Sequence, residues 1–408
     1  MGVSNMEEWK EYRLGDIADI KGGKRLPKGV GLVTKPNNHP YIRIRDLGNN
    51  KVLELNDCFE YVDDETQRQI SRYITNKDDI ILSIVGTVGL VAKVGSSLDF
   101  ANLTENCVKI NNLQGLYNDY LYYYLISSEG QNKIKLGVVG AVQPKLPIKN
   151  IADFVIPVPS MEQQKNIASI LSSLDDKIEC NRKICANLEA QAQALFKHWF
   201  VDFAPFKDGK FVESEMGMIP LLEICEQITD GVHNSVKDEP DSDYMLLSCK
   251  NIVGGVLSKN SYRSISKSTF ESLRTRTRLA KGDVLLSSVG TIGEIAIVED
   301  EPLNYEFQRS VAIVKPKKKV GTYFLYNALL ASKTRLQHAA HGAVQQCLFI
   351  GDLKKFEVYY YGDEKAFLYN ETVKPLFEEV AKLHKESSRL SALRDALLPK
   401  LMSGEIKV

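Results

Sequence analysis

The sequence predicts an α+β protein in which two globular α/β domains are joined by two long antiparallel helices, which form a coiled coil with a pseudo-two-fold internal repeat. Three observations lead to this prediction. A segment of about 200 residues occurs twice in the 408-residue chain. Each copy ends in a long stretch with heptad spacing of apolar residues. The remaining sequence contains short β-branched runs separated by Gly and Asn, which is typical of strands.

The repeat is clearest in one run of sixteen residues. The segment DIILSIVGTVGLVAKV occupies 79–94 and DVLLSSVGTIGEIAIV occupies 283–298, with nine of the sixteen positions identical. The tetrapeptide GAVQ occurs at 140–143 and again at 342–345. Because each copy of a repeat is expected to fold as one unit, we predict two similar units, each a globular domain followed by a helix.

The first long helix has a clear start and a continuous seam. Ser160 and Gln163 match a capping box, in which each residue satisfies a backbone amide of the other. No Pro or Gly follows as far as residue 200, and apolar residues recur in steps of three and four from Ile167 to Trp199. This pattern predicts a coiled-coil helix roughly 60 Å long.

The second helix is expected to carry an equivalent seam and to pack antiparallel to the first, because the two copies are predicted to be related by a pseudo-two-fold axis. Pro375 should kink it and Pro399 should disturb its end. Asn181, which we expect opposite an apolar seam, should fix the register at some cost in stability. The predicted boundaries are 1–158 for the first domain, 159–200 for the central helix, 201–220 for a linker, 221–361 for the second domain and 362–408 for the C-terminal helix.

Within the domains, the β-branched runs predict a twisted, mainly antiparallel sheet with small helices. The predicted strands are YIRIRDL, DIILSIVG and VKI in the first domain and YMLLS, DVLLSSVG and VAIV in the second. The segments LYNDYLYYYLIS at 116–127 and YFLYNALLASK at 323–333 are expected to be helical.

Composition excludes several classes of protein. Lys plus Arg and Asp plus Glu both number 52, so the net charge is zero and a uniformly basic nucleic-acid coat is excluded. The chain has no apolar run of 18 residues and no apolar signal sequence at its start, so we expect a cytoplasmic protein without a membrane partner. Seven cysteines without a C-x-x-C pair favour reduced thiols over disulfides or a zinc cluster.

The zero net charge conceals basic stretches. Between Lys21 and Lys51 there are eight basic residues and one acid, a pattern typical of nucleic-acid contact, although a solvated strand face would explain it too. Arg43 and Arg45 lie two apart on a predicted strand and are expected to point the same way. The candidate DNA-binding cations are Lys24, Arg25, Arg43 and Arg45 in the first domain and Lys250, Arg263, Arg274, Arg276 and Arg278 in the second.

The two repeated motifs supply further polar candidates. The S-x-V-G-T-[VI]-G segments are predicted to be hairpin turns with glycines at positive φ, or else a backbone that approaches phosphate with Thr87 or Thr291 as a donor. In the GAVQ segments, Gln143 and Gln345 either contact an adenine edge or phosphate, or stabilise their own turn.

Searches for a catalytic motif are negative. Nucleotide-binding glycine loops, N-P-P-[YF], G-x-S-x-G and H-E-x-x-H are all absent. His338 and His341 could share a helix face but lack a third metal ligand, and the D-x-K triplets at 175–177 and 208–210 fall on the predicted helix and linker. We therefore predict neither a catalytic nor a metal site. The alternatives are a methyltransferase or nuclease that acts alone and a coiled-coil scaffold that binds only proteins.

Three further segments resemble the specificity subunits of Type I restriction-modification systems. They are FKHWFVDFAPFKDGKFVESEMGMIP at 196–220, PVPSMEQQKNIASILSSLDDKIE at 157–179 and LRDALLPKLMSGEIKV at 393–408. The resemblance extends over the whole chain. One departure is that a Gly-Trp pair usually follows the connector, whereas Ile219 and Pro220 here lead into Leu221, so the first strand of the second domain is expected to be shortened.

The resemblance implies a non-catalytic subunit that recognises double-stranded DNA. Each domain would be a target recognition domain for one half of a bipartite, asymmetric site, with half-sites about one helical turn (~34 Å) apart. The helices would set the spacing and dock two modification subunits, which would use S-adenosylmethionine to methylate adenine; restriction subunits would add ATP- and Mg-dependent cleavage. No cofactor is expected on this chain itself. The expected docking positions are Ile167, Leu171, Leu174, Leu188, Leu195, Leu390 and Leu397.

Overall fold

The structure, a computed structural model, describes residues 9–48, 50–140, 142–202, 217–299, 301–342 and 346–408. The chain divides into unit 1, residues 1–181 and 386–408, and unit 2, residues 182–385. This division differs from the predicted boundaries, because each unit contains a globular domain together with part of each long helix.

Unit 1 consists of three small sheets and the helices that cover them. Its strands are β1 (Lys10–Arg13), β2 (Asp19–Gly22), β3 (Pro40–Ile42), β4 (Val52–Leu53), β5 (Glu60–Tyr61), β6 (Ile80–Ser83), β7 (Val91–Val94), β8 (Asn102–Leu103), β9 (Cys107–Asn111) and β10 (Val155–Val158). Its helices are α1 (Leu14–Ile17), α2 (Asp64–Ile70), α3 (Asn118–Ile126), α4 (Ser128–Gly137), α5 (Ile148–Ala152) and the first part of α6 (Met161–Phe196). The sheets have the orders β2-β9-β6-β7-β4, β5-β3-β8 and β1-β10.

Unit 2 repeats this plan. Its strands are β11 (Gly217–Pro220), β12 (Cys225–Asp230), β13 (Tyr244–Leu247), β14 (Ile252–Val253), β15 (Val256–Leu257), β16 (Arg263–Ile265), β17 (Val284–Ser287), β18 (Ile295–Ile297), β19 (Tyr305–Phe307), β20 (Val311–Pro316) and β21 (Glu357–Tyr360). Its helices are α7 (Leu221–Ile224), α8 (Lys267–Thr277), α9 (Thr322–Ala331), α10 (Lys333–His338), α11 (Ile350–Lys355) and the first part of α12 (Asp363–Met402). The sheet orders are β12-β20-β17-β18, β16-β13-β19, β14-β15 and β11-β21.

The predicted mainly antiparallel sheets are confirmed in both units. In unit 1, β6 pairs antiparallel with β7 and β9, and in unit 2, β17 pairs antiparallel with β18 and β20. Parallel pairs are β3 with β8, β4 with β7, and β13 with β19. The helices predicted at 116–127 and 323–333 are α3 and α9, and both lie in the apolar cores of their units.

Two predictions about the start of unit 2 are wrong. The expected linker 201–220 ends earlier, because 217–220 form β11, which pairs with β21 in the same antiparallel way that β1 pairs with β10. The first strand of the second domain is therefore not shortened; β11 has four residues, as β1 has. The other linker residues, 203–216, lie outside the described ranges.

Both long helices begin and continue largely as predicted. The Ser160 amide donates to Gln163 Oε1 at 3.2 Å and the Gln163 amide donates to Ser160 Oγ at 3.3 Å, which confirms the capping box. The first helix leaves α-helical geometry earlier than expected, since Lys197–Val201 form a π-helical turn. The second helix, α12, continues as an α-helix through both Pro375 and Pro399.

The seam is antiparallel within each unit. In unit 1, Arg394 Nη1 donates to Asp175 Oδ1 at 2.8 Å, and further along α6 the Asn181 side-chain amide donates to Glu386 Oε2, also at 2.8 Å. In unit 2, Cys185 packs against Val380 and Leu383, and later on α6 the Phe196 ring lies 5.6 Å from that of Tyr369, which comes earlier on α12.

These contacts also correct one expectation about the seam. Asn181 faces Glu386 and Ser387, at 2.8 and 3.3 Å, so it lies opposite polar groups and not opposite an apolar seam.

Candidate nucleic-acid interface

Several loops of unit 1 meet at one end of its sheets. Strands β2, β3 and β6 finish at this end and β9 begins there. The amide of Gly23 donates to the carbonyl of Cys107 at 3.0 Å, and that of Lys24 to Leu103 at 2.8 Å. A β-carbon on Gly86 would lie 3.5 Å from Ile44 Cδ1, so the segment after β3 lies against the turn after β6. The tertiary fold thus assembles basic segments that are far apart in sequence.

The repeated S-x-V-G-T-[VI]-G segments are turns held by their serine. Ser83 Oγ donates to the carbonyl of Thr87 at 2.6 Å and accepts from the amide of Leu90 at 2.9 Å. Gly86 and Gly89 have φ of 76° and 98°, a region that side-chain-bearing residues rarely adopt. Ser287 makes the same two contacts, with the Thr291 carbonyl and the Glu294 amide. The predicted hairpin turn is confirmed, and it leaves the Thr87 and Thr291 side chains exposed.

The residues that follow the GAVQ segments pair with these turns in both units. In unit 1 the residue pair Val85 and Lys145 forms an antiparallel bridge, and in unit 2 Val289 and Cys347 do the same. Gln143 is exposed next to this bridge. Gln345 lies outside the described residues. The turn and the residue that follows GAVQ, more than fifty positions later in the chain, are therefore adjacent at the same end of each unit.

We call the exposed polar residues at this end of unit 1 edge 1, and those at the equivalent end of unit 2 edge 2. Edge 1 comprises Lys24, Arg25, Arg45, Thr87, Gln143 and Lys145. Edge 2 comprises His233, Lys250, Arg276, Thr291, Arg309 and His341. Each edge is dominated by cationic or neutral donors, which suits contact with phosphate oxygens and base edges.

Four edge residues are not among the DNA contacts predicted from the sequence, namely Lys145, His233, Arg309 and His341. Arg309 follows β19, its amide donates to the carbonyl of Val232 at 3.0 Å, and its side chain is exposed. Lys145 follows Gln143 by two positions, so the motif itself could have indicated it. Arg309 and His233 had no such signal, because each is an isolated cation in its local sequence.

Arg43 is not a surface cation. It follows β3 and precedes a 3-10 helix, Ile44–Asp46. The prediction that Arg43 and Arg45 lie on one face of a strand is therefore wrong. The guanidinium of Arg43 forms an ion pair with Glu60, and only 19% of the Arg43 side chain is exposed. The backbone amide of Arg43 donates to Asp46 Oδ2 at 2.7 Å. Arg45 is 57% exposed and also contacts Glu60, at 3.2 Å. Of the two, Arg45 remains a candidate for DNA contact.

Three of the predicted cations in unit 2 also have internal roles. Arg274 Nε donates to Glu306 Oε1 at 2.6 Å, and Glu306 is fully buried. Arg263 donates to Asp238 and to the carbonyl of Val236. Arg278, the left-handed end of α8 with φ of 48°, is exposed, but its carbonyl accepts from Lys315, near the end of β20 and away from edge 2.

The predicted docking positions are buried or half-buried within the units. Ile167 and Leu171 are buried in the core of unit 1, because they pack against α3 and the end of α12. The other five, Leu174, Leu188, Leu195, Leu390 and Leu397, are half-buried. These residues stabilise the units, at about 1.5–3 kcal/mol for each large apolar side chain that is fully buried.

The buried carboxyl of Asp46 is expected to make the stability of the fold depend on pH. Burial raises the pKa of its carboxyl from 3.8 to about 6, with Arg45 opposing the rise and Glu60 adding to it. Because the folded chain then binds this proton more tightly than the unfolded chain, the free energy of unfolding should decrease as the pH rises from about 4 to about 6. We expect Asp46→Asn, which keeps an oxygen for the Arg43 amide, to flatten this slope in denaturant titrations. The exposed Asp57→Asn is the control, and an unchanged slope in Asp46→Asn would contradict the assignment.

No metal centre is found among the described residues. His338 ends α10 and His341 lies beyond it, 3.4 Å from Asp352, so the two histidines do not share a helix face. Asp175 of the first D-x-K triplet is bound by Arg394 and by the Tyr123 hydroxyl at 2.6 Å. The second triplet, 208–210, lies outside the described ranges. None of the helices in those ranges is long and apolar enough to cross a membrane.

Comparison with known proteins identifies the family. A family model described as the Type I restriction modification DNA specificity domain matches residues 6–190 and 213–360, which together are most of the chain. The chain belongs to the Type I specificity-subunit family. The two matches correspond to the two copies of the repeat, so this chain contains the family's domain twice.

Individual specificity subunits match over nearly their full length. The Type I restriction enzyme MjaIX specificity subunit of Methanocaldococcus jannaschii is 25% identical over 98% of this chain and 94% of its own. The HindI specificity subunit of Haemophilus influenzae is 24% identical over 98% of this chain and 100% of its own. Among solved structures, the S subunit of a Type I restriction-modification system from M. genitalium matches with a TM-score of 0.55 and 18% identity over 98% of both chains.

These matches confirm the predicted fold class and the resemblance found in the sequence. They also favour a specificity subunit, which belongs to a family of DNA recognition and not of catalysis, over an enzyme that acts alone.

Proposed function

We propose that this chain recognises DNA for a Type I restriction-modification assembly and that each unit reads one half of a bipartite, asymmetric site. The observation that carries this proposal is the pair of equivalent edges. In both units the fold brings the serine-held turn, the residue that follows GAVQ and several cations to the same end of the sheet, although the cations themselves lie at different sequence positions. Two edges with a similar backbone and different side chains suit two half-sites of different sequence.

The zero net charge fits this proposal. Cations at the edges neutralise phosphates and release counterions, which makes binding depend on salt. Elsewhere, many charged side chains are paired within the protein. Lys51, for example, donates to Ser172 Oγ at 2.6 Å and lies 3.3 Å from Asp119 Oδ2. The isolated chain should therefore bind random DNA only weakly, and partner subunits would supply additional positive charge.

We propose that the partners are two modification subunits, which would bring S-adenosylmethionine and methylate adenine, and restriction subunits that would use ATP and Mg. The assembly would act in the cytoplasm. Since the seam residues are buried or half-buried, we propose that docking uses apolar side chains that the long helices leave more exposed. They include Ile184 on α6 and Phe367, Leu368 and Leu393 on α12.

The edges can be tested by salt-dependent binding. We expect Arg45→Ala combined with Lys145→Ala to weaken binding of the assembled complex to its DNA site. The slope of log affinity against log salt should fall by about 0.9 for each phosphate that the variant no longer neutralises. Affinity would be measured by fluorescence anisotropy at several salt concentrations.

A matched control is Lys382→Ala, which removes an exposed cation of α12 that pairs with Glu379 on the same helix. This variant should bind DNA as the unmodified chain does. If the double variant also keeps the full affinity and slope, edge 1 does not contact DNA, and the proposal fails for unit 1.

A further inference from the structure

Hydrogen bonds at the two edges allow positions in unit 1 and unit 2 to be matched one by one. The amide of Gly23 donates to Cys107 and that of Gly231 donates to Val311, at 3.0 and 3.3 Å. One residue later, Lys24 and Val232 donate to the carbonyls of Leu103 and Phe307, both at 2.8 Å. Leu103 therefore corresponds to Phe307, and Cys107 corresponds to Val311.

The glycines explain why this frame is the same in both units. A β-carbon on Gly23 would lie 2.1 Å from the Thr104 carbonyl oxygen, and one on Gly231 would lie 1.9 Å from that of Phe307. No side chain fits at either position, so the two segments are held in direct backbone contact. Counting along this frame places Glu105 of unit 1 at the position of Arg309 in unit 2.

This matched position carries opposite charges. Glu105 accepts a hydrogen bond from Arg25 Nε at 2.7 Å, so in unit 1 an acid holds an edge cation. Arg309 has no side-chain hydrogen bond or ion pair within the described ranges, and it is exposed. A nearby acid of unit 2, Asp230, is already engaged by His233 at 2.7 Å and by Arg276 at 3.6 Å.

The backbone of Arg309 is fixed, although its guanidinium makes no ion pair with the described part of the chain. Its amide donates to the Val232 carbonyl at 3.0 Å, and its carbonyl accepts from Ser288 Oγ at 3.4 Å. A side chain that selects a base must be held in a defined position by its surroundings. A guanidinium on a fixed backbone can donate two hydrogen bonds to O6 and N7 of guanine in the major groove.

We propose that Arg309 is a specificity-determining residue of unit 2 that selects a guanine, and that Glu105 serves unit 1 by orienting Arg25 for the equivalent task. The charge inversion at one matched position then makes the two half-sites differ. This inference rests on the proposed function, since it names the chemistry by which one edge selects DNA.

The test uses the complete complex and a set of DNA duplexes in which each base pair of both half-sites is varied singly. We expect Arg309→Ala and Arg309→Lys to lose discrimination at one guanine of one half-site, by about 5- to 150-fold. Lysine keeps the positive charge but lacks the planar pair of N–H donors that a guanidinium presents to O6 and N7 of guanine. The Arg309→Lys variant therefore separates base selection from phosphate contact. Arg25→Ala and Glu105→Gln should affect only the other half-site, and Lys382→Ala should affect neither.

The outcomes distinguish this inference from the function on which it rests. Full discrimination by Arg309→Lys, or an equal loss of affinity for every duplex in Arg309→Ala, would show a phosphate contact and overturn the inference alone. If the unmodified complex showed no base preference at all, the proposed function itself would fail. Thermal denaturation of each variant verifies that it is folded. An Arg309→Ala variant with an unchanged midpoint and unchanged base preference also overturns the inference.

Discussion

Replacing Arg274 with alanine is expected to lower the free energy of unfolding by about 3–5 kcal/mol, because the change leaves a buried carboxylate without its counter-ion. Glu306 has no exposed surface, and its other side-chain partner among the described residues is the Thr277 hydroxyl, 3.0 Å away. Burial already raises the pKa of Glu306, and Arg274 opposes that rise. Thermal denaturation and amide hydrogen exchange in α8 would measure the loss.

Two further measurements would show whether the lost ion pair with Glu306 causes this destabilisation. The loss should be smaller at acidic pH, because protonated Glu306 no longer needs a counter-ion. Arg276→Ala, two positions away on the exposed side of α8, should cost at most about 1 kcal/mol. If Arg274→Ala were as stable as Arg276→Ala, the ion pair would not be structural, and Arg274 would return to the set of candidate DNA contacts.

Lengthening both long helices by one heptad is expected to change the spacing of the DNA site. Seven residues inserted after Asn181 and seven after Lys385 would fall at the boundaries between the units and would preserve the heptad phase. Each helix would gain about 10 Å, which corresponds to about three base pairs at ~3.4 Å each. The preferred unspecified gap should grow by that amount, with both half-site sequences unchanged, as measured by methylation of duplexes with graded gaps.

The matched control is the same insertion in α6 alone. This single insertion would shift Asn181 and the residues before it along α12, away from Glu386 and Ser387. The pairing of α6 with α12 would then be out of register in one unit. We expect this variant to have a lower denaturation midpoint and to lose activity at every gap length. A change in the base sequence of either half-site after the paired insertion would contradict the division between units that read DNA and helices that set the distance.

Local patterns predicted those features whose partners are close in sequence. The capping box joins residues three apart, the serine-held turns join Ser83 to Thr87, and the seam follows a seven-residue period. The internal repeat was also evident without any structure. These features depend on short-range geometry, so the order of residues suffices to predict them.

The roles of the cations could not be predicted in this way. Arg274 and its acid Glu306 are 32 positions apart, and Arg25 and Glu105 are 80 apart. A run of arginines has the same appearance in a sequence whether its members face solvent or pair with buried carboxylates. Only the fold showed that Arg43 and Arg274 are internal, whereas Arg309 is exposed.

The sequence by itself therefore determined the two-copy architecture, the long seam helices and the family, because these features are encoded in periodicity and in contiguous motifs. The tertiary structure decided where each copy presents its polar edge and which charges remain exposed there. The physical reason is that a charge is either paired or available according to neighbours brought together by strand order, and strand order is set by long-range packing of the sheet.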